Sequence, residues 1–178
     1  MKRLLILLLF TLLSTCSYKP LSVLEVMINT IIKYRPVDGV RIASCLHSAA
    51  LEYKHDPLMI MRLCWKESRY KPNAYNSKTQ ARGLMQILDY YWRVGLYKIQ
   101  DGELGRYLTK KNITNIERLK RYYYRINYSS HLGCYALASC IKYKKGDIRK
   151  GLTMYSGFYV KGSCRKKRKK YLDYILGE

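Results

Sequence analysis

The chain is short of acid. Its 178 residues hold 12 aspartates and glutamates against 34 lysines and arginines, a formal charge of +22. Histidine is scarce as well: only His47, His55 and His131 are present, and no two cysteines are spaced Cys-x-x-Cys, which argues against a zinc site. The longest apolar run, Leu4 to Leu13 broken by Thr11, is too short to cross a bilayer comfortably. No internal repeat or second-domain boundary is visible, so the length fits one domain with a real core. With 48% hydrophobic residues the composition is globular rather than disordered. No nucleic-acid recognition motif accompanies the positive charge, so a nucleic-acid partner is not expected.

The start of the chain reads as a targeting segment. Lys2 and Arg3 precede the apolar run, and the small residues Ser14 and Thr15 follow it. Residues 1–16 are therefore assigned to a signal peptide and excluded from the fold. Leu13-Ser14-Thr15-Cys16 also resembles the lipobox of bacterial lipoproteins, with Thr15 an unusual residue before the cysteine. Lipidation of Cys16, ordinary cleavage and a retained anchor all imply export. Beyond Cys16, the five cysteines Cys45, Cys64, Cys134, Cys140 and Cys164 are an odd number, and their pairing is not legible.

Helical spacing of apolar residues predicts helices over Leu21–Tyr34, Val40–Lys54 and Leu58–Arg69. Asp56-Pro57 supplies an N-cap and a first-turn proline for the third. Tyr70 to Arg82, with Pro72, Asn73, Asn76 and Ser77, predicts irregular chain or a small β-element. A fourth helix is expected to open at Gly83 and run to about Val94. Gly95 to Ile113 reads as loop and Thr114 to Arg125 as polar and tyrosine-rich. A long helix is expected over Asn127–Lys145, and another after Gly146-Asp147.

Glu67 is the carboxylate in an unusual place. Ile60, Leu63 and Cys64 lie seven, four and three residues before it, on the same helix face. Buried there, its pKa would rise, as a general acid working near neutral pH requires. A glutamate at a helix end that turns out to solvent fits the spacing equally well.

Glu67-Ser68-Arg69-Tyr70-Lys71-Pro72-Asn73-Ala74, followed by Ser77-Lys78-Thr79-Gln80-Ala81-Arg82-Gly83-Leu84-Met85-Gln86, resembles the motifs of the soluble lytic transglycosylase family. Asn127, Leu132-Gly133, Gly146-Asp147 and Tyr155-Ser156-Gly157 continue the likeness in order. Gln80 stands where the family carries glycine, one extra residue separates Ala74 from Ser77, and Ser156 stands where many relatives have asparagine. The likeness spans about Glu52 to Tyr174. It implies a mainly α, lysozyme-like (α+β) fold with a small irregular or β element after the catalytic helix. Residues 17–50 would be a helical extension and 51–178 the domain, the whole forming one globular unit from 21 to 178.

The resemblance implies cleavage of the linkage between N-acetylmuramic acid and N-acetylglucosamine in peptidoglycan, with Glu67 alone as acid and base and no metal or organic cofactor. Ser68, Met85, Gln86 and Tyr155 would contact the saccharide or orient Glu67, and Gly83 and Pro72 would shape the site. A lysozyme-type hydrolase using Glu67 and a non-catalytic wall-binding protein are the alternatives. Asp89, Asp101 and Glu103 are the nearest downstream carboxylates, and Asp89 reads as solvated. For an exported, basic protein, expected here to be a monomer, the polyanions at hand are wall polymers and anionic membrane lipids. Periplasm, membrane anchorage, virion and extracellular space all fit. The run Arg165–Lys170 is the densest cationic piece, and reads as a solvated helix face or such a binding element.

Overall fold

A computed structural model describes residues 20–88, 124–156 and 165–178. These form six helices: α1 (Val23–Ile31), α2 (Gly39–Glu52), α3 (Pro57–Ser68), α4 (Ile126–Tyr143), α5 (Ile148–Tyr155) and α6 (Arg165–Leu176). The architecture is mainly α, as the sequence implies. No described helix is long and apolar enough to cross a membrane.

The helix starts follow from side chains that satisfy the first unpaired amides. Ser22 and Glu25 form a reciprocal capping box on α1. Asp56 accepts from the amides of Leu58 and Met59 at 3.0 and 3.3 Å, with Pro57 in the first turn of α3. Asp147 accepts from the amide of Lys150 at the start of α5. The core forms where α2 packs against α1, α3 and α4, with α5 on α4 and α6 on α3 and α5. Ile42, Leu46 and Ala50 of α2, Ile60, Leu63 and Cys64 of α3, and Leu132 and Leu137 of α4 are fully enclosed. Enclosing several such side chains, at roughly 1.5–3 kcal/mol each, is what holds these helices together.

The segment after α3 is tightly constrained. Arg69 and Tyr70 both adopt left-handed backbone, with φ of 54° and 57°. Tyr70 is nevertheless buried, its ring 5.3 Å from Trp65, which in turn lies 4.2 Å from Tyr34. Aromatic packing thus offsets the strain of two successive left-handed residues. Lys71 to Ala74 closes a turn with Pro72 at its second position, the carbonyl of Lys71 accepting from the amide of Ala74.

The expected fourth helix is absent over Gly83–Leu88. Arg82 and Ile87 exchange both backbone hydrogen bonds across a turn, and Arg82 also bridges to Tyr75. Gly83 and Gln86 have φ of 75° and 47°, which a right-handed helix does not admit. The apolar residues Leu84, Met85 and Ile87 point inward as a helix face would, but from the small β-element expected just upstream. The remainder of that expected helix, the loop from Gly95, and nearly all of Thr114–Arg125 lie outside the described residues.

Candidate active site

The end of α3, the turn at Gly83–Gln86, the end of α5 and the middle of α6 meet around Glu67. Glu67 lies in the last turn of α3, partly exposed, and burial pushes its carboxyl up to about 7. The hydroxyl of Tyr171, from α6, donates to Glu67 Oε1 at 2.5 Å and pulls the pKa the other way. Desolvation wins. The carboxyl is therefore partly protonated at neutral pH. Among the described residues no second carboxylate acts on it: burial and Tyr171 account for its shift.

The phenols respond in kind. Burial and the nearby Glu67 charge both push the Tyr171 and Tyr155 hydroxyls far above their ordinary range, so both remain donors. Tyr155 donates to the carbonyl of Met85 at 2.7 Å, tying α5 to the turn. The hydroxyl of Ser156 lies against that of Tyr171.

The other sequence-assigned residues hold the frame. Ser68 is buried and its hydroxyl donates to the carbonyl of Cys64 at 3.2 Å, inside α3. Met85 is a core residue with no exposed side chain, and what it presents toward α5 is its carbonyl. It packs on Gly133 of α4 so closely that a Cβ there would lie 2.4 Å from its Cγ. Gln86 is partly exposed, with its amide nitrogen donating to the carbonyls of Ala74 and Gly83 at 3.2 and 3.1 Å. Gly83 supplies the left-handed step that lets its amide reach the carbonyl of Ala74 at 2.9 Å. Pro72 sits in the turn that follows α3.

Gln80, at the position where the resemblance expects glycine, has φ of 63°. Its side chain compensates: Oε1 accepts from the hydroxyl of Tyr75 at 2.6 Å, and Nε2 donates to the carbonyl of Ser77 at 2.9 Å. Asp89, Asp101 and Glu103 lie outside the described residues, as do Cys16, Cys164 and Gly157. Cys64 and Cys134 are buried thiols, and burial pushes Cys64 up to about 12. No group of His, Cys, Asp and Glu among the described residues could hold a metal ion. Tyr171 is the residue that sequence reasoning missed. Its signal is faint: it opens the apolar face Tyr171, Leu172, Ile175 immediately after the cationic run.

The mainly α domain, with one raised-pKa glutamate at a helix end over a glycine-bearing turn and beneath two phenols, is consistent with the lysozyme-like fold that the resemblance implies. Its family is the transglycosylase SLT domain family, whose pattern matches residues 44–157, and the chain belongs to it. At the family level this means lytic-transglycosylase-type activity on peptidoglycan, the cell-wall polymer. Searches of curated proteins and of solved structures return no match.

Proposed function

We propose that this protein is a peptidoglycan lytic transglycosylase that cleaves the β-1,4 linkage from N-acetylmuramic acid to N-acetylglucosamine without water, Glu67 serving as acid and then as base. The observation that carries the reading is the Glu67 carboxyl itself, pushed up to about 7 by burial with one oxygen fixed by Tyr171. In the protonated form Oε1 accepts from Tyr171 and the proton resides on Oε2, which faces no other described donor. That proton passes to the leaving glycosidic oxygen as the bond to the anomeric carbon breaks. The substrate's own N-acetyl group covers the positive charge at the anomeric centre, so one carboxylate suffices. Glu67, now ionised, takes the proton of the 6-hydroxyl as that oxygen closes on the anomeric carbon. The products are a free sugar hydroxyl and a 1,6-anhydro end, and Glu67 regains its proton.

In this reading Tyr171 is a positioning residue for Glu67. Tyr155 holds the Met85 carbonyl and with it the turn, so that Gln86 faces the saccharide. Ser68, Gly83 and Pro72 fix the chain on either side of the acid. Residues 17–50 are read as an extension, and its described part braces α3 through Tyr34, whose ring lies 4.2 Å from that of Trp65, two residues before Glu67. The protein works outside the cytoplasm, where its substrate is.

Digestion of purified peptidoglycan by the wild type and by Glu67→Gln, with mass spectrometry of the products, tests this. Anhydro-muropeptides from the wild type alone are expected. Reducing ends in their place would make the protein a hydrolase using the same acid. Retained wall binding with no products from either protein would make it a binding module.

A further inference from the structure

We propose that the outward face of α6 docks on a membrane surface bearing anionic phospholipid headgroups, and that docking steadies the helix that carries Tyr171 to Glu67. The docking half stands on its own, and the consequence for turnover rests on the function proposed above.

The two faces of α6 differ completely. Inward, Leu172 and Ile175 are buried, Tyr171 reaches Glu67, and Arg62 Nε of α3 donates to the Ile175 carbonyl at 2.9 Å. Outward, Lys166, Lys167, Lys169 and Lys170 are exposed, and none of them has an ion pair among the described residues. The two acids near them, Asp173 and Glu178, are both held by Arg149 of α5. Arg149 also lines one groove with Lys166, Arg168 and Lys169, so the cationic surface continues onto α5.

This arrangement opposes the helix it sits on. Six cations occupy residues 165–170, at the positive end of the helix dipole, with no acidic residue in the first turn. Lys166 and Lys170 are also one turn apart, where like charges repel. A sheet of negative charge outside the helix would relieve both effects at once.

Two features favour a lipid surface over a linear polymer. Lysine, the main residue here, is a hydrated point charge suited to diffuse headgroups rather than to a fixed anion geometry. Tyr174, 40% exposed, lies beside Lys166, Lys167, Lys169 and Lys170, and tyrosine favours the membrane interface.

Co-sedimentation of the full chain with phosphatidylcholine vesicles, with and without phosphatidylglycerol, reads the docking. The apolar run contributes to both vesicle types, so the increment on adding anionic lipid reports the cationic face. That increment should be about tenfold or more and should shrink as salt rises. It should vanish when Lys166, Lys167, Lys169 and Lys170 are all changed to Gln. It should persist when Lys33, Arg41, Lys54 and Lys71 are changed to Gln, which removes the same charge elsewhere. Equal loss in the two variants would overturn a local docking face. Binding of soluble polyphosphate without any anionic-lipid increment would overturn the lipid surface in favour of a linear polymer. Hydrogen exchange over residues 165–176 should slow on anionic vesicles, and unchanged exchange despite docking would overturn the link to Tyr171. None of these readouts needs turnover, so a protein that docks but leaves peptidoglycan intact would sink only the proposed function.

Discussion

At Glu67 folding favours the protonated carboxyl, and that preference has a sign that stability measurements can read. The native group titrates at about 7 against an ordinary value of 4.5. Below 4.5 both native and unfolded chains hold the proton and the full stability is present. Between 4.5 and 7 the unfolded chain ionises while the native one keeps its proton, so stability falls with rising pH, and levels off above 7. Glu67→Gln is free of this dependence. In urea denaturation at pH 4, 6 and 8, the variant should gain on the wild type through that window, by on the order of 2 kcal/mol at the alkaline end. An equal gap at all three pH values would mean that the carboxyl is solvated. Tyr171→Phe separates orientation from packing. The tyrosine donates to the carboxylate and holds its pKa down, so its loss should move the alkaline limb of the pH–rate profile upward. The rate at the optimum should drop by roughly tenfold, as the acid loses its fixed orientation. A tyrosine that only packs would lower stability and leave the limb in place.

At the scale of elements, the turn over Gly83–Gln86 depends on a helix it does not follow in sequence. Gly133 of α4 leaves the space that Met85 fills, and a Cβ there would lie 2.5 Å from the Met85 Cβ, too near the backbone to be relieved by a rotamer change. Gly133→Ala should cost about 1–3 kcal/mol in thermal or denaturant unfolding. It should also lower activity by moving the Met85 carbonyl from Tyr155, whereas activity unchanged at full occupancy of substrate would detach the turn from the chemistry. The same turn marks where sequence reading stops working. Helices α1 to α4 were legible because apolar residues recur at helical spacing, α3 also from Asp56-Pro57, and α5 from Gly146-Asp147 at its start. Leu84, Met85 and Ile87 show a similar spacing, yet they belong to a buried turn, and periodicity alone does not separate the two. The glycine replaced by Gln80 was legible as a departure, but not the pair of side-chain hydrogen bonds that offsets its left-handed backbone. The face that Glu67 shares with Leu63 and Cys64 left burial and solvent equally open, and the likeness of Glu67–Ala74 to the family motif singled it out. Tyr171 was not legible, because it is one of 19 tyrosines and meets Glu67 across 104 residues of chain.

For the whole molecule the excess of positive charge acts on stability and on encounter with opposite signs. A charge of +22 on a chain of 178 residues repels itself most strongly when the chain is compact. The exposed lysines of α6 and the run Lys142, Lys144, Lys145 before α5 concentrate that repulsion on connected helices. Salt screens it, with a Debye length of about 8 Å at physiological ionic strength. Raising salt from very low to physiological should therefore raise Tm by a few degrees, the scale on which 1 kcal/mol or less acts in a domain of this size. The same screening weakens the long-range attraction of a cationic enzyme to an anionic wall, so binding to intact peptidoglycan should fall over the same range. Scanning calorimetry beside sedimentation with wall sacculi makes the two trends visible in one salt series. If binding instead tracked Tm upward, contact with the wall would be limited by how well the fold is held, and the charge would have no part in recruitment. If Tm stayed level while binding fell, the lysines would be solvated one by one in the native state, and their charge would act only on what approaches from outside.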